Sequence, residues 1–277
     1  AIGSHGQTIK HEPNSIPPFS LQIGNPQLIS NQLGIKTVAN FRDDDITKGG
    51  QGAPLSPVFH KEVFAEENKS RLIINIGGIA NVSLLGGGEL IGFDTGPGNC
   101  LLDIWTKKNR KGDYDNKGRW AKSGTVDQDL LNIMMKDNYF SLEPPKSTGP
   151  DYFNLTWLQD CLMKLNREVD PSDTQATLVE LTASSLSNSL EKLKIVSENI
   201  YMCGGGVHNK FLMSRISFLL GEKCYTTAKL GLDPDYIEAI CFAWLAYKRV
   251  NNIKFDMSAI TGSNEKVYLG KVYLPAK

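Results

Sequence analysis

Three short apolar runs, RLIINIGG, NVSLLGG and GELIGFD, follow one another between Arg71 and Asp94 with glycines at each junction. Short β-prone runs separated by glycine turns predict an antiparallel three-stranded meander. The segments after Asp94 narrow the architecture further. GNCLLDIWTKKN has the spacing of a helix, and NIYMCGGGVHNKFLMSRISFLL reads as a strand, three glycines and a helix. CYTT then reads as a strand and PDYIEAICFAWLAYKRV as a strong helix. Strands that come first as a meander and then alternate with helices predict an α/β chain with a mixed sheet.

The remaining segments fit around that unit. Ala1 to Lys10 reads as a strand entering a Pro-rich loop, HEPNSIPPF, and SLQIG as a second strand. PQLISNQLG reads as a helix with Asn25 as its cap and Gly34 as its stop. IKTVANF is a buried-type strand, and DDDITKGGQGAPLS a long Gly-rich loop. FHKEVFAE is a short helix, and Asp127 to Lys136 and Asn154 to Leu165 are helical. DTQATLVELTASSLSNSLEKLK is the longest helix, and KVYLGKVYL a closing pair of strands. At 277 residues the chain has room for two domains. The expected division is residues 1–70 and residues 71–277, with the last helix and strands packing back on the first part.

Charge excludes several classes of partner. Lys and Arg number 30 against 30 Asp and Glu, so no basic footprint for nucleic acid or an anionic membrane is present. No apolar run approaches the ~18 residues of a membrane span. Five scattered cysteines without CxxC spacing point to a reduced, cytoplasmic setting. The 4 histidines do not cluster at metal-ligand spacing.

Several stretches carry candidate chemistry. The glycines of YMCGGGVHNKFL, Gly204, Gly205 and Gly206, allow close approach of a ligand to the backbone ahead of a helix, with Asn209 in its first turn. The spacing is not G-x-G-x-x-G, so a tight strand-to-helix turn without a ligand is an equal alternative. Gly77 and Gly78 in INIGGIANVS could present amides to an anion, or form a plain turn. Asp94 ends a strand before Gly96-Pro97-Gly98-Asn99, where it could serve as a base, cap a helix or hold Mg²⁺ through water. Asp45, beside the glycines of a loop too long for a simple connector, is the candidate for a sugar hydroxyl, near Arg42 and Gln51. By residue type alone His5 and Glu238 read as structural, and PKSTG offers a weak anion signal at Lys146, Ser147 and Thr148.

In order and spacing, GSHGQTIKHEP, SLQIGNP, FRDDDITKGGQGAPL, NIGGIANVS, GFDTGPGN, PKSTG, QATLVELTA, CGGGVHN and EAICFAWLA resemble the anhydro-N-acetylmuramic acid kinase family over essentially the whole chain. The resemblance implies an actin/hexokinase-like fold, two ribonuclease-H-like halves with mixed sheets around a cleft. It also implies a homodimer, ATP with its Mg²⁺, and an amino-sugar substrate, 1,6-anhydro-N-acetylmuramic acid. The family opens the anhydro ring with water and phosphorylates O6, and the aspartate matching Asp94 is its general base. Phosphoryl transfer to the leaving O6 then replaces the acid that ordinary glycoside hydrolysis requires.

The expected substrate-binding set is Asp45, Arg42, Gln51, His5 and Glu238. The expected nucleotide and phosphate set is Gly77, Gly78, Asn81, Gly96, Gly98, Gly204, Gly205, Gly206 and Asn209. No metal ligand is assigned, Mg²⁺ being carried by ATP and reaching Asp94 through water. Two positions depart from the family pattern, Asn40 where Asp precedes Phe-Arg and Pro150 where Arg follows KSTG. The family's N-terminal strands, with a Ser-Gly-Thr-Ser-x-Asp-Gly phosphate loop, precede the region matched here, so a longer native protein is expected. A kinase for another amino sugar, or a non-catalytic binding protein of the same fold, is the alternative function.

Overall fold

Thr37, Val38 and Ala39 are buried without exception, and a strand of that kind needs a neighbour on each edge. In the computed structural model, which describes residues 1–86, 89–110, 112–195, 197 and 199–276, it has both. β1 (Ile2–Gly3) leads to the antiparallel hairpin of β2 (Gln7–Glu12) and β3 (Phe19–Ile23) and then to β4 (Thr37–Ala39). β4 pairs in parallel with β1 on one edge. On its other edge it pairs antiparallel with a strand from the far end of the chain, Lys271–Tyr273.

β5 (Arg71–Ile76), β6 (Ile79–Gly86) and β7 (Glu89–Pro97) form the meander that the glycine spacing predicts. The tip of its second turn, Gly87-Gly88, lies outside the described residues. β8 (Ile200–Cys203) adds in parallel to β5, and β9 (Cys224–Thr226) in parallel to β8. The sheet order is β7-β6-β5-β8-β9 with β6 alone reversed, a ribonuclease-H-like half-domain. The strand that pairs with the second edge of β4 is β10 (Lys271–Tyr273).

β5 is apolar at successive positions because both its faces are covered. Leu72, Ile74 and Ile76 belong to a core built with Phe93, Leu101, Leu178, Leu186 and Ile216, under the helices Cys100–Asn109, Pro171–Lys192 and Lys210–Leu220. Ile73 points the other way, into a core shared with Val38, Phe41, Phe59, Ile237 and Leu245. Each such side chain contributes roughly 1.5–3 kcal/mol by leaving water. The second core joins the two sheets through the helices Ser56–Phe64 and Ile237–Val250, so the space over one end of the large sheet has a wall from each half.

Local rules hold at the helix ends. Asn25, Asp127, Asn154, Asp170 and Asn209 each accept a backbone N–H from the first turn they precede. Three expectations change. DDDIT is a short helix, Asp43–Thr47, not loop, its three carboxylates lying in the first turn where the helix dipole favours them. β2 continues through Glu12, so the Pro-rich loop starts later than expected. KVYLGKVYL does not pair with itself, since β10 pairs with β4 and Val267 makes only an isolated bridge with Phe255.

Candidate active site

Strand register gathers the polar centre of the site. Asn75 of β5 stands opposite Asn81 of β6, and Asn81 opposite Asp94 of β7. Side chains alternate faces along a strand, so Asp94, next to the buried Phe93, must point away from the helical core. The register slips between Ala80 and Asn81, leaving Thr95 as the extra residue of a bulge just past Asp94. Bulges re-aim neighbouring side chains, and here the strand bends as its carboxylate reaches the sheet end. Asn75, Asn81 and Asp94 all line one cavity of about 730 Å³ between the two halves.

Asp94 is only 4% exposed. Its Oδ2 accepts the Thr148 N–H at 3.0 Å. Its own N–H donates to the Lys146 carbonyl at 3.2 Å, and its carbonyl accepts the Tyr139 hydroxyl at 2.7 Å. Burial pushes the carboxyl up to about 7, against the opposing pull of the Thr148 N–H, Arg42 and Lys146. Lys146 is itself buried beside the rings of Phe93 and Tyr139, and burial, with Lys192 second, lowers it to about 8. A carboxylate with a pKa near neutrality is suited to taking a proton from water.

The glycines separate into two kinds. At Gly78 an added Cβ would meet nothing closer than 3.8 Å, and at Gly205 nothing closer than 3.9 Å. Both line the cavity beside Gly77, so bare backbone leaves room there for a ligand, whereas Gly204, on the same wall, has a left-handed φ of 79° and a Cβ there would come within 2.5 Å of Asn75 Oδ1. Gly98, Gly206 and Gly96 serve the interior. A Cβ would come within 2.4 Å of the Gly77 carbonyl at Gly98, and within 2.3 Å of the Ile76 side chain at Gly206. At Gly96 it would meet Phe140 at 2.8 Å. These three hold the two glycine turns and the bulge together behind the cavity wall.

The first half supplies the opposite wall. Arg42 donates to the Gly52 carbonyl at 2.7 Å and to His5 Nε2 at 3.0 Å. A guanidinium can only donate, so His5 carries its proton on Nδ1, which donates to the Gly6 carbonyl at 2.9 Å. Burial, then Arg42, lowers His5 to about 4, so its ring is neutral at physiological pH. Glu238, in the first turn of Ile237–Val250, faces the same cavity and balances part of the Arg42 charge. Asn40 takes a left-handed backbone (φ 55°), which Asn tolerates, and bonds to Asp43 and Tyr273 instead of turning toward Arg42. Pro150 lies on the cavity wall.

Of the expected residues, the structure brings Asp94, Arg42, His5, Glu238, Gly77, Gly78, Asn81, Gly204 and Gly205 to one cavity. Asp45, Gln51, Gly96, Gly98, Gly206 and Asn209 lie off its wall. Asp45 is fully buried, accepting the Gly52 N–H and the Thr261 hydroxyl, each at 2.7 Å, and it staples the loop from inside. Asn209 caps its helix through the Leu212 N–H at 3.0 Å. Ser56, His60, Asn75 and Asp235 also line the cavity and were not expected. Asn75 had a readable signal, its register with Asn81 across a Gly-Gly turn.

Among the described residues no group of three or more His, Cys, Asp or Glu is placed to hold a metal ion. No helix of the described residues is long and apolar enough to cross a membrane. The two-part α/β molecule thus presents glycine turns and a buried carboxylate to one cleft, room for a ligand against bare backbone beside a candidate proton acceptor.

The chain belongs to the anhydro-N-acetylmuramic acid kinase family, whose model matches residues 1–275. It is 48% identical over 276 residues to the anhydro-N-acetylmuramic acid kinase of Pasteurella multocida (strain Pm70), covering 99% of this chain and 73% of that protein. It is 47% identical over 278 residues to the enzyme of the same name from Coxiella burnetii (strain RSA 493 / Nine Mile phase I), covering 99% of this chain and 74% of the relative. Among solved structures it is similar to the activator of the 2-hydroxyisocaproyl-CoA dehydratase from Clostridium difficile with bound ADPNP. That match has a TM-score of 0.41 and 16% identity, over 72% of this chain and 66% of the other.

Proposed function

We propose that the cavity is the active site of an ATP-dependent kinase that opens the anhydro ring of 1,6-anhydro-N-acetylmuramic acid with water and phosphorylates O6, giving N-acetylmuramic acid 6-phosphate. The observation that carries the mechanism is Asp94, a buried carboxylate held by the Thr148 N–H, with its pKa raised to about 7 and bare glycine backbone on the same cavity wall. Asp94 takes a proton from a water, whose oxygen attacks the anomeric carbon. The bond from that carbon to the bridging oxygen breaks, and O6 attacks the γ-phosphorus with ADP as leaving group. The leaving oxygen is captured by phosphorus, so no second carboxyl needs to protonate it.

The open space at Gly78 and Gly205 fits the phosphates of ATP approaching the backbone. Mg²⁺ carried on those phosphates would supply charge neutralisation, with Asp94 the carboxylate that would reach it through water. Arg42, His5 and Glu238 are the side chains proposed to meet the sugar, Arg42 and His5 acting as a prearranged pair. Asn81 is proposed to stay beside Asp94 as a polar contact. The reading includes a cytoplasmic setting, for which five free cysteines speak, and a homodimer, which rests on the family resemblance.

The test is isotopic. The complete gene product is incubated with Mg-ATP and the anhydro sugar in ¹⁸O-labelled water, and the product is weighed. Gain of one phosphate and one labelled oxygen is expected. Phosphate without label would reveal an ordinary hydroxyl kinase, and absence of product would leave a binding protein.

A further inference from the structure

The Ser147 residue beside the Thr148 N–H that holds Asp94 is gripped from the other half of the molecule. Gln51 Oε1 accepts both the Ser147 N–H at 2.9 Å and the Ser147 hydroxyl at 2.7 Å. The Ser147 N–H can only donate, so the Gln51 amide must present its oxygen. Gln51 is anchored in turn, its N–H donating to the Thr261 carbonyl at 2.9 Å.

With its proton committed to Gln51, the Ser147 hydroxyl is left as an acceptor for His11 Nε2 at 3.3 Å. That direction places the His11 proton on Nε2, and Nδ1 then accepts the Ser20 hydroxyl at 2.9 Å. Gln22 Nε2 completes the chain by donating to Ser20 at 2.7 Å. The His11 N–H also reaches Asp151 at 3.3 Å. Every donor in the run points at an acceptor, from the β2–β3 hairpin through Ser147 to Gln51.

We infer that Gln51, seconded by His11, is a positioning residue for the base: it seizes Ser147 so that the next residue, Thr148, presents its N–H to Asp94. The inference rests on Asp94 acting as the base. It replaces the expected contact between Gln51 and the sugar, since Gln51 does not line the cavity. It also ties the base to the approach of the two halves, because Gln51 and His11 come from the first part of the chain and Ser147, Thr148 and Asp94 from the second.

A change at Gln51 reaches His11 through Ser147, but none of the charged groups that bear on Asp94 bonds to Gln51. Arg42 faces it from the turn before Asp43–Thr47, Lys146 from its own loop, and the Tyr139 hydroxyl from Asn138–Ser141. Glu238 faces Arg42 from Ile237–Val250. His5 and His11, both lowered to about 4 with burial as the leading cause, stay neutral above about pH 5.

The experiment is a pH–rate profile of the complete enzyme carrying Gln51→Met, which keeps the length and removes the acceptor. Losing the Thr148 N–H takes stabilisation from the ionised carboxylate, so the acid limb of kcat/KM should move up by about one pH unit. kcat at pH 7 should fall about fivefold, as the ionised fraction of the base drops, with KM for the sugar little changed. Ser147→Ala, which leaves Gln51 only the N–H, should shift the limb the same way by less, and it carries the test if Gln51→Met does not fold. An unmoved acid limb in folded variants overturns the inference. So does a raised KM with kcat and limb unchanged, which would make Gln51 a direct sugar contact. Asp94→Asn is the control: full activity there sinks the base itself, whereas an inactive Asp94→Asn beside an unmoved limb sinks only the positioning role.

Discussion

Replacing Asp94 by Asn should inactivate the enzyme and make it more stable, by an amount that depends on pH. In the unfolded chain this carboxyl titrates near its ordinary value of 3.8, and in the folded protein at about 7, with burial the leading cause. Below the lower value both states are protonated and burial carries no charge penalty. As pH rises from there to about 7 the unfolded state ionises while the folded state keeps its proton, so stability falls. Above about 7 the loss is complete. At 1.36 kcal/mol per unit the full penalty is roughly 4 kcal/mol, of which about 2–3 kcal/mol develops between pH 5 and pH 8. Asn keeps an oxygen for the Thr148 N–H and carries no charge, so the variant escapes that loss. Parallel thermal melts of the two proteins should show the advantage of the variant growing by about 5–10 °C between pH 5 and pH 8, at roughly 2–4 °C per kcal/mol. Activity should drop by about 10²–10⁴. A gap in melting temperature that stays constant with pH would refute the reasoning, because the carboxyl would then titrate alike in both states.

The two kinds of glycine make opposite predictions. Gly78→Ala should leave the melting temperature nearly unchanged and raise KM for ATP about tenfold, whereas Gly98→Ala should lose about 1–3 kcal/mol by colliding with the Gly77 carbonyl. Asn209→Ala should cost about 1 kcal/mol in denaturant unfolding with KM for ATP unaltered, and Asn209→Asp should retain the cap and the stability. The His5 ring, held neutral by burial and Arg42, should show no titration by NMR between about pH 5.5 and pH 8. A His5 midpoint within that range would break the assigned pairing with Arg42.

Local signals carried the central sheet. Glycine spacing marked the turns of β5, β6 and β7, and the Gly-Pro-Gly turn after Asp94 marked the carboxylate, because both are properties of neighbouring residues. The glycine-rich loop is placed differently in the fold, for a physical reason. Asp45 and Gln51 both look like sugar contacts in sequence, yet Asp45 is satisfied by Thr261 and Gln51 by Ser147, partners far away in the chain. Asp44 likewise accepts the Tyr268 N–H at 2.7 Å. A polar residue in a loop looks available until the remote group that claims it is known. β10 misled in the same way, since KVYLGKVYL has the look of a hairpin while the vacancy that attracts it lies beside β4.

That placement of β10 has a consequence for biosynthesis. Ribosomes deliver the chain in order, and domains ordinarily fold as they emerge, the N-terminal one first. Here Val38 of an early strand pairs with Val272, and the Gln27 and Ser30 side chains bond to the carbonyls of Leu274 and Tyr273. β4 must therefore wait for residues 271–273 before its second edge is paired, while the five-stranded half can settle earlier. Nascent chains arrested shortly before Lys271 should carry a protease-resistant second half and a first half still open to cleavage.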